Sequence, residues 1–358
     1  MKKIAIMTAG GDCAGLNSTI KSVVLSAYNK GVVVVGILDG FIGFVKGKYR
    51  VLGIKDVIDI ESIGGTILGS SNKENPFHYP SDDDKTKYID RVDEGIAHLT
   101  DIDVEAMIII GGDGTLDSAR VICEHGMPVI GIPKTIDNDM SASSPTIGFN
   151  TAVDNVVDVV RKIKTTAYSH RRVFIIEAMG RTSGYLSLYS GIASGADVIL
   201  LPEKDYNIDI VCDKVRNVME NDKRYCILVV SEACKEVGGD QVISKLVKDS
   251  YEQKRYGGVS EKIAEQIEEK TGYETRALIV GHIQRGGTPS SSDVIIGTVL
   301  GAHAFKLLYN KQQGYIVGIK GNEIVKMKFP KVRIPRLLDF ENNILIKSAK
   351  SIGICFGD

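Results

Sequence analysis

Short apolar segments recur along this chain, and each one ends abruptly in glycine or in polar residues. Their length and apolar character predict buried strands at 4–7, 32–38, 106–110, 129–132, 173–177, 225–230 and 277–280. A segment of helical spacing, Leu16–Tyr28, separates the first two strands. This alternation is typical of α/β proteins with parallel sheets. Two charged segments, 81–91 and 245–268, are predicted to be surface helices.

The residues that directly follow the predicted strands are of types that bind ligands. In open parallel sheets, ligands bind beyond the carboxyl ends of the strands. We therefore expect a functional site there, although the fold alone does not name a reaction. The segments concerned are 10–12 (GGD), 111–115 (GGDGT), 133–139 (PKTIDND), 179–181 (MGR), 231–232 (SE) and 281–285 (GHIQR).

Length and composition limit the class of protein. A chain of 358 residues predicts two domains, because one core rarely grows beyond about 250–300 residues. The 44 basic and 45 acidic residues nearly cancel, which argues against a nucleic-acid or membrane surface. No pair among the six cysteines has CxxC spacing, so reduced thiols are expected. The N-terminus lacks the features of a signal peptide, which predicts a cytoplasmic protein.

The segment 111–115 combines three glycines with an aspartate between a predicted strand and a helical pattern. Glycines let the backbone approach phosphate oxygens, and the N–H groups at a helix start attract anions. Asp113 could hold Mg²⁺ against those phosphates, because Mg²⁺ prefers oxygen ligands. A plain turn with an aspartate helix cap could have the same residues. The similar segment 10–12 at the first turn favours the phosphate interpretation.

Three polar side chains alternate in the segment that follows Pro133. In an extended loop Thr135, Asp137 and Asp139 would point the same way, so two carboxylates and a hydroxyl could converge. Lys134 beside them could screen the charge of a phosphate. Capped loops also use these residue types. Together with the glycine-rich segment, however, the pattern favours a catalytic site.

Basic side chains lie at or near several of the predicted strand ends. The planar fork of a guanidinium group suits a phosphate monoester. Any one of these residues could belong to an ordinary surface, so the prediction of an anionic substrate depends on the group as a whole. The group consists of Arg172, Arg181, Arg276, Arg285 and His282.

These motifs resemble those of the 6-phosphofructokinase family, in the same order, over residues 1 to about 310, and segment 64–70 (GGTILGS) belongs to the same pattern. The resemblance implies two doubly wound, Rossmann-like α/β domains with parallel-rich sheets and an active site in the cleft between them. It also implies a homo-oligomer, either a tetramer or a dimer. The implied reaction is Mg²⁺-dependent phosphoryl transfer from ATP to the 1-hydroxyl of fructose 6-phosphate, a step of glycolysis.

The chain is expected to pass between the two domains more than once. We expect residues 1–148 and about 284–333 to form the domain that binds the phosphoryl donor. Residues 149–283 and about 334–358 are expected to form the domain that binds the sugar phosphate. The role of the last segment, 331–358, stays open at this point.

The resemblance also implies roles for individual residues. Asp137 is expected to be the base that takes the hydroxyl proton, Arg181 to stabilise the transferring phosphoryl group, and Thr135 and Lys134 to assist. The expected donor-binding residues, with Asp113 as the metal ligand, are Gly11, Asn72, Lys73, Gly112, Asp113, Gly114 and Thr115. The expected sugar-phosphate contacts, with Arg172 and Arg276 supplied by a neighbouring subunit, are Thr135, Asp137, Asp139, Arg172, Met179, Gly180, Arg181, Glu232, Arg276, His282 and Arg285.

Two positions that discriminate between phosphoryl donors in the family give opposite indications here. Gly114 is typical of ATP-dependent members and leaves room for the α-phosphate, whereas Lys134 is typical of pyrophosphate-dependent members. Because Lys134 does not exclude ATP sterically, we expect ATP, with pyrophosphate as the alternative. Asn72, at a position where ATP-dependent members usually have arginine, and Ser118, where a glycine lies near adenine, favour the alternative.

Other classes of protein share part of this pattern. Kinases for NAD and diacylglycerol also have a GGDGT segment, but they lack segments 133–139 and 281–287. A non-catalytic regulatory subunit of the phosphofructokinase type would be expected to have lost Asp137 or Arg181, and both are present. Leu25 and Asn221 replace basic residues of the family's effector pocket, which predicts weakened or changed effector control.

Overall fold

The computed structural model describes residues 1–71, 75–81, 83–84, 86–221, 223–246, 254–332 and 335–358. In chain order its strands are β1 (Lys3–Thr8), β2 (Val33–Ile37), β3 (Tyr49–Leu52), β4 (Tyr79–Pro80), β5 (Tyr88–Ile89), β6 (Ala106–Gly111), β7 (Val129–Pro133), β8 (Val173–Ala178), β9 (Val198–Leu200), β10 (Cys226–Ser231), β11 (Ile243–Leu246), β12 (Lys254–Tyr256), β13 (Thr275–Ile279), β14 (Tyr315–Lys320) and β15 (Glu323–Lys328). Its helices are α1 (Leu16–Tyr28), α2 (Phe41–Lys46), α3 (Val92–Thr100), α4 (Asp113–Glu124), α5 (Phe149–His170), α6 (Tyr185–Ser194), α7 (Ile208–Glu220), α8 (Val259–Thr271), α9 (Ser291–Tyr309) and α10 (Ile344–Ser351).

The strands form two main sheets, both of which are rich in parallel pairs. The first has seven strands in the order β15-β14-β7-β6-β1-β2-β3, and only its edge strands β3 and β15 are antiparallel to their neighbours. The second has four parallel strands in the order β13-β8-β10-β9. Helices follow most of the parallel strands, as expected for crossovers between them. The predicted α/β class with two parallel-rich sheets is confirmed.

The predicted strands are present, with ends that differ by one to a few residues. Helix α1 has the bounds that its helical spacing predicts. The expectation of a helix at 81–91 is wrong, because the described residues there form loops and the short strand β5. Within 245–268 the helix begins only at Val259 and is preceded by the hairpin β11–β12. Charged residues occur on surface hairpins as readily as on helices, so charge alone could not distinguish these structures.

Close packing of α1 on α9 brings the starts of these two helices together. A Cβ added at Gly297 would lie 2.8 Å from the carbonyl oxygen of Gly15. One added at Gly301, four residues later on the same face, would lie 2.7 Å from the carbonyl oxygen of Thr19. The two glycines therefore permit the close approach. As a result, the turn before α1 lies near the loop before α9.

The C-terminal segment runs from the first sheet to the second. Pro335 pairs with Met140, just beyond β7, in an isolated antiparallel bridge. Further along, Cys355 pairs in parallel with Val198 of β9, at the edge of the second sheet. Helix α10, between these two bridges, packs against α6. The segment 335–358 thus contacts both halves of the molecule.

Two further expectations concern the thiols and the membrane. The six cysteines are free thiols, four of them buried and Cys123 and Cys355 half-buried. This is consistent with the absence of CxxC spacing. Among the helices that the structure describes, none is both long enough and apolar enough to cross a membrane.

Candidate active site

Loops from both sheets meet in a cleft beyond the carboxyl ends of β1, β7, β8 and β13. The Nε of Arg181, which follows β8, lies 3.6 Å from Oδ2 of Asp137, which follows β7. Nη1 of Arg285, in the turn after β13, donates to the carbonyl oxygen of Asp12, which follows β1, at 3.2 Å. These contacts bring the predicted site residues of the two sheets together.

Asp137 is a buried carboxylate with one unused oxygen. Its side chain is 2% exposed, and Oδ2 faces Arg181. Its Oδ1 has no hydrogen-bond partner in the part of the chain that the structure describes. Native proteins rarely leave a buried polar oxygen unpaired, because this costs about 1–3 kcal/mol. Such an oxygen is available to a substrate hydroxyl or to a cation.

We call residues 134–139 the carboxylate loop. It is bent at residues 136–137, so the extended conformation from which the convergence of Thr135, Asp137 and Asp139 was expected is wrong. The chain turns at Asn138, whose φ of 53° lies in the left-handed region that asparagine tolerates better than most residues. Thr135 Oγ1 accepts the N–H of Asp137 at 3.1 Å, and its carbonyl oxygen accepts the Thr146 hydroxyl at 2.7 Å. In this structure Thr135 shapes the loop that presents Asp137.

Lys134 is buried beneath the first glycine turn, residues 10–12. Its side chain is 4% exposed, and its Nζ donates to the carbonyl oxygen of Gly11. Burial lowers the pKa of Lys134 below its ordinary value, and the positive charges of Arg285 and Arg181 lower it further. The lysine therefore connects the carboxylate loop to the turn that is expected to bind the phosphoryl donor.

The second glycine turn, residues 111–115, leads directly into α4. The helix cap is Gly112, and Asp113 is the first helical residue, so the aspartate is not the cap. A Cβ added at Gly111 would lie 2.3–2.6 Å from side-chain atoms of Thr115, which only glycine avoids. The hydroxyl of Thr115 lies 3.2 Å from the place where a Gly10 Cβ would be. The two glycine turns are thus direct neighbours.

Glu232, after β10, lies against Arg181. Its Oε1 accepts the backbone N–H of Arg181 at 2.9 Å. Burial raises the pKa of Glu232 to about 7, and the charge of Asp137 raises it further, although this hydrogen bond and the charge of Arg181 oppose the change. Arg181 itself has φ of 53°, so its backbone is held in a conformation that few arginines adopt. Glu232 helps to maintain it.

Met179 and Gly180 lie on the wall formed by the second sheet. The backbone N–H of Met179 donates to Oε1 of Gln284 at 3.1 Å, and Gln284 is 1% exposed. The φ of 134° at Gly180 requires glycine, and an added Cβ would lie 2.6 Å from the carbonyl oxygen of Ser183. Asn155 Nδ2 also donates to the carbonyl oxygen of Gly286 at 2.9 Å. Sequence reasoning missed Asn155, which belongs to no recognisable motif, and it did not single out Gln284 within segment 281–285.

Arg172 and Arg276 lie apart from this cluster, at the opposite ends of their strands. Arg172 immediately precedes β8, and Arg276 is the second residue of β13. Both pair with Glu274 of the same chain, Arg172 through Nε at 2.6 Å. Within one chain these arginines are therefore not brought to Asp137. Their expected role, which involves a neighbouring subunit, stays a prediction.

The remaining predicted residues have varied positions. Asn72 and Lys73 lie outside the residues that the structure describes. His282 is exposed on the turn that carries Arg285. Ser118, expected near a donor's base, is buried on α4 and donates to the carbonyl oxygen of Gly114 at 3.2 Å.

Comparison with known proteins identifies the family of this chain. Its residues 3–308 match the family model described as "Phosphofructokinase". The chain belongs to the phosphofructokinase family. The motifs that carry the resemblance include the glycine turns, the carboxylate loop and Arg181, which the geometry places around one cleft.

Relatives with different phosphoryl donors are about equally similar to this chain. It is 42% identical over 363 residues to "ATP-dependent 6-phosphofructokinase 2" of Clostridium perfringens, with 100% of this chain and 99% of that protein covered. It is 39% identical over 324 residues to the "Pyrophosphate--fructose 6-phosphate 1-phosphotransferase" of Dictyoglomus thermophilum, with 90% and 91% covered. Identity therefore does not decide the donor.

Solved structures agree with the fold. The phosphofructokinase from Saccharomyces cerevisiae superposes with a TM-score of 0.79 at 26% identity, over 92% of this chain. This chain covers 45% of that longer chain. A pyrophosphate-dependent phosphofructokinase from Marinobacter aquaeolei superposes with a TM-score of 0.80 over 99% of this chain and 92% of the other. Its 18% identity supports the fold alone.

Proposed function

We propose that this chain transfers the terminal phosphoryl group of ATP to the 1-hydroxyl of fructose 6-phosphate. The coarser part, a phosphotransferase that acts on the fructose 6-phosphate hydroxyl, follows from its membership of the family. The single observation that carries the proposal is the buried Asp137, whose Oδ1 is unpaired in the described structure while its Oδ2 faces Arg181. A non-catalytic regulatory subunit would have no need to keep this pair.

The proposed mechanism assigns one task to each charged side chain. Asp137 Oδ1 accepts the proton of the attacking hydroxyl, which is general base catalysis. Arg181 neutralises the charge that develops on the transferring phosphoryl group. The N–H groups of the glycine turns bind donor phosphates, and buried Lys134 supports the first of these turns from below. The side chains in the cleft thus provide positioning and charge neutralisation, the two main requirements of this reaction.

The side chains in the cleft also fit Mg²⁺. A magnesium ion on nucleotide phosphates is held by only one or two carboxylates, and phosphates and water complete its shell. Among the described residues no group of three or more His, Cys, Asp or Glu is placed to hold a metal ion. Asp113 is the proposed ligand, and the unpaired oxygen of Asp137 is a second anionic oxygen in the cleft. When bound, the cation would neutralise phosphate charge.

Gly114 supports ATP as the donor, because a residue without a side chain leaves space for the α-phosphate and the ribose beyond it. Lys134 is compatible with ATP, since its Nζ binds the carbonyl oxygen of Gly11 and thereby supports the turn. The second candidate is pyrophosphate. It is favoured by the same buried lysine, because a donor without a nucleoside depends more on local cations.

The function is tested by steady-state kinetics with fructose 6-phosphate and either ATP or pyrophosphate, at saturating Mg²⁺. We expect kcat/KM to be higher for ATP. A higher value for pyrophosphate would reject the donor assignment, whereas no turnover with either donor would reject the activity. The oligomeric state of the same preparation tests assembly, because the proposed role of Arg172 and Arg276 in a neighbouring active site requires a homo-oligomer.

A further inference from the structure

Arg336 lies in the C-terminal segment, outside residues 3–308 that match the family model. We call residues 335–340 the strap. The strap passes between the carboxylate loop and the start of α6, and its first residue, Pro335, pairs with Met140. In the sequence nothing distinguishes Arg336 from other basic residues near the C-terminus. In the structure it reaches the loop that carries the proposed catalytic base.

One side of Arg336 binds the carboxylate loop through several hydrogen bonds. Its Nη2 and Nε donate to the carbonyl oxygen of Asn138 at 2.5 and 3.2 Å. Its backbone N–H donates to the carbonyl oxygen of Asp139 at 2.6 Å, and Nη1 donates to Ser144 Oγ at 2.5 Å. A guanidinium group is required for this pattern, because an ammonium group cannot form the same planar fork. The two residues that directly follow Asp137 are thus both held by Arg336.

The loop needs such support because of its backbone conformation. Asn138 has a left-handed φ of 53°, which asparagine tolerates better than most residues but glycine tolerates best. Thr146 holds Asn138 from one side, since its N–H donates to the Asn138 Oδ1 at 3.2 Å. Arg336 holds the carbonyl oxygen of Asn138. Without the arginine, the peptide that joins Asn138 to Asp139 loses its side-chain donors and can rotate.

The other side of Arg336 contacts the start of α6. Its guanidinium group stacks on the ring of Tyr185, 4.3 Å from the centroid, and the Tyr185 hydroxyl donates to the carbonyl oxygen of Leu337. The N–H groups of Gly184 and Leu338 both donate to Oε1 of Glu203, at 2.9 and 3.2 Å. The strap is therefore fixed to the turn that follows Arg181.

These contacts connect the two walls of the cleft. Ser183, two residues after Arg181, also donates to the carbonyl oxygen of Asp137 at 3.2 Å. We propose that Arg336 is a positioning residue, which keeps the carboxylate of Asp137 in register with the guanidinium of Arg181 during phosphoryl transfer. The inference rests on the proposed function. In such reactions a displacement of about 1 Å can cost about 10²-fold in rate.

The test compares Arg336→Met and Arg336→Lys with a matched control, Arg216→Met. Arg216 is an arginine of α7 whose Nη1 pairs with Asp213 at 2.7 Å, on the surface and away from the cleft. We expect Arg336→Met to lower kcat by about 10²-fold, with a much smaller change in the KM of fructose 6-phosphate. Arg336→Lys keeps the charge but loses the fork, so we expect an intermediate kcat. The control should keep wild-type kcat.

A double-mutant cycle with Asp137→Asn separates positioning from general damage. If Arg336 acts through Asp137, adding Arg336→Met to Asp137→Asn should lower the residual kcat by much less than 10²-fold. The inference is overturned if Arg336→Met lowers kcat by the same factor in wild type and in Asp137→Asn. It is also overturned if the kcat of Arg336→Met stays within about threefold of the control. If the methionine variant does not fold, Arg336→Lys in both backgrounds carries the same comparison. Inactive wild-type protein would instead reject the proposed function.

Discussion

Replacement of Glu232 by glutamine tests the electrostatics of the cleft without any ligand. Glutamine has nearly the same shape as a protonated glutamate and keeps an oxygen that can accept the N–H of Arg181, now 2.9 Å from Glu232 Oε1. It cannot ionise. The substitution therefore removes one titration and leaves the hydrogen bond in place.

The expected magnitude follows from the pKa of the buried carboxyl. Burial raises the pKa of Glu232 from 4.5 to about 7, so the folded state favours the protonated form. This contribution to stability is complete below about pH 4.5 and is lost as the pH rises through about 7. Each pKa unit corresponds to about 1.4 kcal/mol, so the loss amounts to about 3 kcal/mol. Glu232→Gln should not show this loss.

The assay is urea unfolding of wild type and Glu232→Gln between about pH 5 and pH 8, at constant protein concentration. At the acid end we expect the two free energies of unfolding to be similar. At the alkaline end we expect the variant to be more stable by about 3 kcal/mol. Glu269→Gln, an exposed site on α8, controls for the loss of a negative charge. A difference between wild type and Glu232→Gln that does not change with pH would refute the reasoning.

Three other predictions concern catalysis and assembly. Asp137→Asn removes the base but keeps the shape of the side chain, so kcat should fall by about 10²–10⁴-fold with little change in the KM of fructose 6-phosphate. Retention of most activity would reject Asp137 as the base. If neighbouring subunits share active sites, mixing inactive Arg276→Ala chains with inactive Asp137→Asn chains should restore some turnover. The absence of turnover in proven mixed oligomers would argue against shared sites. Gly114→Asp should lower kcat/KM for ATP at least about tenfold more than for pyrophosphate, because its carboxylate would lie beside the α-phosphate of ATP. Lys134→Gly should lower kcat/KM for pyrophosphate more than for ATP.

The central strands could be predicted because they are buried on both faces and therefore apolar throughout. Strands β1, β6, β7, β8 and β10 belong to this class, and their burial is nearly complete. The edge hairpin β14–β15 was not predicted. Its outer strand has only exposed and half-buried residues and includes lysines, which suits an edge that must avoid further pairing. The same residues are compatible with a surface loop.

The site could be predicted only where its residues form local motifs. Asp137 and Arg181 belong to short segments whose composition indicates phosphate chemistry, and the structure places them 3.6 Å apart. Arg336 was missed, because it lies 198 residues from Asn138 in sequence and its contacts arise from tertiary structure. The bend at Asn138 was missed for a related reason. A left-handed asparagine needs partners such as Thr146 and Arg336, and these partners are not visible in the local sequence.

Helix starts in this structure differ in where carboxylates lie. Buried Asp293 accepts the N–H groups of Gly148 and Thr151 at the start of α5, and Glu177 accepts those of Gly258 and Ser260 at the start of α8. Because carboxylates already neutralise these positive helix ends, a phosphate there would meet like charge. Helix α1, in contrast, has no acidic residue in its first turn, and α4 begins with Asp113, the proposed magnesium ligand. These two helices follow the two glycine turns, so a donor phosphate at the start of α4 would meet the negative charge of Asp113 unless a cation lay between them, which agrees with the proposed role of Asp113.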